Sequence, residues 1–294
     1  MKVFKSERGK RRVFESYDHL LSLWPVGTEE KWVETRFGST HVLLAGSREN
    51  PPLLLFHGVG DNAAVMWYLN IGELSRYFYC VAVDTLGGPG KSKLSEQYVK
   101  KEFDQVVWIN ELVEKLNLWN VNLAGVSNGA YLAWLYASME PDKVNRVVCL
   151  EGGFVTDPWK AIWGTLMLAF PEILLPTRKN LIRIMMKMKP GSELFDKHPE
   201  LIDHMVLVMK NHNQQAMFVH PIVRYDEIVG KAIRDKVLFI FGGNMMGDRD
   251  GFVKLLETGG YRYEVVDGVG HGINHERPEL INDKIIAFLL SQDK

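Results

Sequence analysis

A serine between two glycines, Gly125-Val126-Ser127-Asn128-Gly129, follows the apolar run 121–124 and leads straight into a helical pattern over 129–140. A serine on such a strand-to-helix turn is thrust out above a sheet, with glycines where side chains would strike neighbouring backbone. Its chemistry would be nucleophilic attack, which needs a base. His271, in Gly270-His271-Gly272, follows the run 262–266 and precedes the last helical pattern. In an open parallel sheet the carboxyl ends of the strands converge on one edge, so Ser127 and His271 should meet there. The imidazole would then take the hydroxyl proton as Oγ attacks a carbonyl carbon. A third feature, His57-Gly58-Val59-Gly60, closes the run 53–56. Such a turn exposes the Val59 amide opposite that of Asn128, and two converging N–H donors make an oxyanion hole. His57 reads as a brace for this turn. The other candidates His41, His198, His204, His212, His220 and His275 have no metal-ligand spacing backed by a carboxylate. They read as surface or cap residues, and neither a metal nor an organic cofactor is expected.

Groups so far apart in sequence need a scaffold. Six short apolar runs, 53–56, 79–83, 121–124, 146–150, 237–241 and 262–266, alternate with helical stretches. Ahead of them, 32–37 and 41–45 flank the turn Gly38-Ser39 as a hairpin, and 13–24 is amphipathic up to Pro25. The expectation is an α/β fold with eight strands, the first two antiparallel and the rest mostly parallel, covered on both faces. Helices are expected over 64–76, 96–116, 129–140, 251–258 and 278–290. From 154 to 231 no strand pattern appears, only helical patterns broken by prolines. An interval of roughly 75 residues is too long for a crossover. It reads as a helical cap inserted between the sixth and seventh strands, with 1–153 and 232–294 as the core. Met167, Met185, Met186, Met188, Met205, Met209 and Met217 give this cap seven of the twelve methionines, with Trp159, Trp163 and Phe170 nearby. The expectation is an apolar pocket wall, since methionine adapts to varied shapes.

Composition narrows the partners. With 46% apolar residues and 24% charged, the 294-residue chain can build a sizeable core, which excludes intrinsic disorder. Thirty-five Lys+Arg against thirty-six Asp+Glu give a net charge of -1, so no global field grips a polyanion. The basic cluster Arg8, Lys10, Arg11 and Arg12 reads as a solvated face. The opening Met1-Lys2-Val3-Phe4 turns polar at once, unlike a signal peptide, and no uncharged apolar run has spanning length. Cys80 and Cys149 fall in buried runs as small hydrophobes. A cytoplasmic monomer or homodimer acting on a small apolar molecule is expected, with neither nucleic acid nor membrane as partner.

The order His57-Gly58, Asp84 with Gly87-Gly88-Pro89-Gly90-Lys91-Ser92, the serine elbow and Gly270-His271 resembles the α/β-hydrolase family along essentially the whole chain. The stretch after Asp84 carries one residue more than the family's usual spacing, and Asp84 reads as a turn-former. Ser22-Leu23-Trp24-Pro25-Val26, Thr35-Arg36-Phe37-Gly38 and Met66-Trp67-Tyr68 are similar to the small bacterial carboxylesterases of the naproxen-ester type. The resemblance implies a serine hydrolase that cleaves apolar, small-to-medium carboxylic esters through an acyl-enzyme. A lactonase or C–C bond hydrolase would use the same residues, and a non-catalytic receptor on this scaffold is a further alternative. The family's acid usually stands three residues past the glycine closing the seventh strand. Here that residue is Met245, and a thioether cannot orient an imidazole. Glu151, at the end of the sixth strand, where a subset of the family places its acid, is carried as the orienting residue. Asp248 is the alternative, although it reads also as a helix N-cap, and a site with no acid stays open.

Overall fold

In the computed structural model, which describes residues 1–159, 163–164, 167, 170–175, 177–188, 193–244 and 249–291, the described strands form one sheet. Strands β1 (Thr28–Thr35) and β2 (Gly38–Ala45) form the expected hairpin, in register from Thr28↔Ala45 to Thr35↔Gly38. The sheet continues with β3 (Pro52–Phe56), β4 (Tyr79–Val83), β6 (Val121–Val126), β7 (Val144–Leu150), β8 (Val237–Gly242) and β9 (Arg262–Val266). Their spatial order is β1-β2-β4-β3-β6-β7-β8-β9, and every pair from β4 to β9 is parallel. A two-residue strand, β5 (Lys93–Leu94), pairs with β2. It is too short to show a periodicity, and the sequence pattern does not predict it.

The central strands are mostly apolar because both faces are covered, with Asn122 in β6 and Asn145 and Arg146 in β7 confined to the first residues of each strand. One core holds Trp108, Tyr136 and Phe239 under α4 (Gln105–Lys115) and α5 (Asn128–Met139). The other holds Tyr17, Trp67, Phe78 and Ile285 beneath α1 (Glu7–Ser22), α3 (Ile71–Tyr77) and α12 (Pro278–Leu290). Capping side chains set several helix starts away from their expected positions. Ser6 accepts from Gly9 N, so α1 begins six residues before the expected position and takes in the basic cluster. Asp104 accepts from the amides of Val106 and Val107, so the helix expected from 96 starts only at Gln105. The stretch expected as one helix over 64–76 divides into α2 (Ala63–Met66), capped by Asn62, and α3.

Between β7 and β8 the chain forms α6 (Arg178–Met188), α7 (Leu194–Lys197), α8 (Pro199–Asn211) and α9 (Glu227–Ile233). Helix α8 lies along α1, and the N-terminal residues fasten it. Lys5 N donates to Asn211 O at 2.9 Å, Asn213 N to Val3 O at 2.8 Å, and Phe4, Val13 and Val208 share a small core. The inserted segment leaves and rejoins the core at one place, where Val155 bridges Arg224 and Tyr225 N donates to Val155 O at 2.8 Å. Helices α10 (Arg249–Gly259) and α11 (Ile273–Glu276) complete the fold. Among the described residues no helix is long and apolar enough to cross a membrane.

Candidate active site

Ser127 sits between β6 and α5 at φ 56° and ψ -115°, a backbone conformation that costs a non-glycine residue about 1–3 kcal/mol. The turn is over-determined. Ser127 N donates to Leu150 O at 2.8 Å and Tyr131 N to Ser127 O at 3.1 Å. A Cβ on Gly125 would stand 2.1 Å from Gly129 O, and one on Gly129 would stand 2.2 Å from Phe56 O. Only glycine fits either position, so this elbow is forced by backbone approaching backbone.

Glu151 is the next strand's counterpart. Val126 pairs with Leu150 in the parallel register, so Ser127 and Glu151 leave the sheet side by side. Glu151 also has positive φ (54°), and its side chain is buried. Oε1 accepts from Gly242 N at 2.5 Å, while Oε2 stands 3.4 Å from His271 Nδ1. That separation exceeds the usual hydrogen-bond length, yet neither atom has another hydrogen-bond partner among the described residues. His271 is held through its backbone, its N–H donating 2.8 Å to Met188 O at the end of α6. Met245 and Asp248 lie outside the described residues.

The loop after β3 lies against the elbow. A Cβ on Gly58 would be 3.6 Å from Ser127 Cβ. Val59 beyond it is 53% exposed. Asn128 opens α5, so its backbone N–H is among the donors a helix cannot satisfy internally. His57 is buried and accepts from Thr85 N at 3.0 Å through Nε2, which leaves Nδ1–H to donate 2.8 Å to Gly58 O. Burial lowers its pKa against the pull of the Asp84 charge, which suits a neutral brace.

Asp84 lies deeper. It accepts from Ala63 N at 3.0 Å and Lys91 N at 2.9 Å, and its Oδ2 is 2.8 Å from His41 Nδ1. Burial alone would raise its pKa. The His41 hydrogen bond and charge, with help from His57 and the Lys91 amide, outweigh that and hold it at about 2. This is a turn-former's role, with an ionic anchor that no spacing in the sequence signals. Of the histidines read as surface or cap residues, His41 and His275 need correction, since they lie outside the inserted segment and are buried, while His204 and His212 lie within it and are buried too. His212 and His220 bond through Nε2 to Gly87 O at 2.9 Å and Leu86 O at 2.8 Å, clamping the loop after β4 from the inserted segment. Among the described residues no group of three or more His, Cys, Asp or Glu could hold a metal ion. The expected pocket wall divides. Met185, Met205 and Met217 are buried, whereas Trp159, Trp163, Met167 and Phe170 face outward.

A doubly covered parallel sheet with a strained serine elbow at its carboxyl edge defines a class, the α/β hydrolases. Comparison with known proteins agrees. The model of the alpha/beta hydrolase fold family matches residues 51–180. An uncharacterized carboxylesterase, nap, of Bacillus subtilis is 32% identical over 94% of this chain and 92% of its own length. Carboxylesterase YbfK of the same organism is 29% identical over 95% and 93%. The crystal structure of the latter superposes with a TM-score of 0.81 at 25% identity, covering 97% of this chain and 100% of that one. The chain belongs to the alpha/beta hydrolase fold family. The naproxen esterase structure from Bacillus subtilis shares the fold, with a TM-score of 0.82 at 21% identity over 97% of this chain and 99% of that one.

Proposed function

We propose that this protein is a serine esterase acting on apolar, small-to-medium carboxylic esters, with 154–231 as the cap over its site. Ser127 Oγ attacks the ester carbonyl carbon while His271 takes the hydroxyl proton. The resulting oxyanion accepts from the amides of Val59 and Asn128. The C–O bond breaks, the alcohol leaves with the proton from His271, and Ser127 is left acylated. Water then attacks the acyl carbon, gives a proton to His271, and releases the acid and the free serine. Glu151 fixes the tautomer of His271 and stabilises the imidazolium.

The observation that carries this reading is the buried carboxylate beside the elbow, anchored by Gly242 N with its other oxygen 3.4 Å from His271 Nδ1. The two full-length carboxylesterase relatives support the ester as substrate. Buried Met185, Met205 and Met217 in the inserted segment support its apolar character. The buried free thiols Cys80 and Cys149 suit a cytoplasmic location. A fluorophosphonate probe tests the assignment. Peptide mass analysis should find it on Ser127, and Ser127→Ala should block labelling and lower p-nitrophenyl ester turnover by about 10³-fold or more. Labelling elsewhere, or a variant keeping a tenth of the activity, refutes it.

A further inference from the structure

His271 is carried by little structure of its own. Only Gly272 separates it from α11, and a helix of four residues has no stability by itself. The position of the imidazole therefore depends largely on what fastens α11. Two buried side chains of that helix reach the same place, the end of α2. The Asn274 amide donates to Met66 O at 2.8 Å and to Asn70 Oδ1 at 3.1 Å. The Nε2–H of His275 is shared between Val65 O at 3.0 Å and Met66 O at 2.9 Å.

Local stability alone does not account for these amides. Asn70 stands at the N-cap of α3, where an asparagine side chain usually caps the helix, yet it makes no such bond. Its Nδ2 donates instead to Asn274 O at 3.1 Å and to Asn282 Oδ1 of α12 at 2.9 Å. Asn274 is fully buried, and its Oδ1 has no hydrogen-bond partner among the described residues. A buried acceptor of this kind is destabilising, so an apolar side chain would serve mere packing better.

Met66 carries the connection onward to the oxyanion turn. Its Sδ lies 3.7 Å from the Asn274 amide nitrogen, and its Cε lies 3.6 Å from where a Cβ on Gly58 would stand. That same point is 3.6 Å from Ser127 Cβ. We propose that Asn274 and His275 are positioning residues that join the His271 loop and the Gly58–Val59 turn into one block through Met66. This role rests on the esterase reading, in which base and oxyanion donors must meet at one carbonyl group. A misplacement of about 1 Å in such groups can cost on the order of 10²-fold in rate.

The test compares Asn274→Leu, His275→Leu and His275→Gln with the wild type. Active sites are counted by fluorophosphonate labelling run to completion, so that only folded enzyme is scored. Per labelled Ser127, kcat for a p-nitrophenyl ester should fall about 10- to 100-fold in both leucine variants, with KM within about twofold. His275→Gln keeps a donor of similar reach and should return kcat to within about threefold of the wild type. Leu112→Ala, a truncation in the core on the other face of the sheet, should lose stability but keep kcat per labelled site. If the leucine variants do not fold, Asn282→Ala removes only the outer brace and should lower kcat a few-fold at constant KM. Fewer labelled sites with unchanged kcat per site overturns the proposal. So does an equal fall in Leu112→Ala, or no recovery in His275→Gln. A wild type that labels elsewhere or leaves the ester intact refutes the esterase reading, and this role falls with it.

Discussion

The two oxygens of Glu151 face different partners, Gly242 N and His271 Nδ1, and a single substitution separates them. In Glu151→Gln the amide keeps an oxygen that can accept from Gly242 N, so the fold should survive, but the charge facing His271 is gone. Loss of an orienting carboxylate costs about 10⁴-fold in kcat, because the wrong tautomer then faces the nucleophile. Turnover of a p-nitrophenyl ester should fall to that extent with an unchanged far-ultraviolet circular dichroism spectrum. Asp248→Asn should cost a few-fold at most, and the reverse pattern would transfer the role to Asp248. A second residue-scale expectation concerns Gly129. Its Cβ would meet the backbone oxygen Phe56 O, which has no rotamer through which to yield. Gly129→Ala should therefore destabilise the protein by about 3 kcal/mol or more in urea unfolding. A loss under about 1 kcal/mol would mean that the elbow relaxes more readily than its packing implies.

At the scale of elements, the inserted segment is stabilised from a distance in sequence. Helix α8 is held by α1 and by the residues before it, through Phe4, the Lys5 and Asn213 amides, and Val13 against Val208. Phe4→Ala should cost roughly 3 kcal/mol, in the usual range for truncating a buried phenylalanine. The loss should be local first. Hydrogen exchange of the α8 amides should accelerate while those of β6 and β7 stay protected, because a peripheral unit opens before the central sheet. Uniform acceleration across both would show that α8 and the sheet unfold as one unit. Two helix starts follow capping side chains rather than hydrophobic periodicity. Asp104 shortens a helix that the pattern extends to residue 96, and Ser6 lengthens one that the pattern begins at 13.

For the molecule as a whole, stability should depend on pH through histidines buried without charge. Burial lowers the pKa of both His204 and His220 to about 4, with a counteracting pull from Asp84 on the first and from the Leu86 carbonyl on the second. The unfolded chain binds their protons below about 6.5. Their contribution is therefore complete above pH 6.5 and is lost as pH falls towards 4, by roughly 3 kcal/mol each. His57 and His212 are displaced in the same direction by burial. Asp84 acts in a lower window, its contribution disappearing only as pH falls from about 4 towards 2. Urea unfolding at pH 7 and pH 4.5 should differ by several kcal/mol, and His220→Gln should reduce that difference. A pH-independent midpoint would show that these rings are solvated and titrate normally.

What the sequence determined by itself was local. Short, mostly apolar runs with helical stretches between them specify a parallel sheet covered on both sides. A glycine-flanked serine between strand and helix specifies an elbow, because both signals lie within a few residues of chain. The tertiary structure decided everything that depends on distance. Strand order brought β7 between β6 and β8, and the register of Val126 with Leu150 set Glu151 beside Ser127. No local pattern distinguishes a carboxylate that faces His271 from one that caps a helix. The same holds for burial. The histidines read as surface or cap residues carry no mark of their surroundings in the sequence, and only packing made His41 and His204 interior. Trp159 and Trp163 likewise read as pocket lining until the fold turned them outward. Solvent exposure belongs to the assembled surface, and side-chain chemistry alone does not specify it.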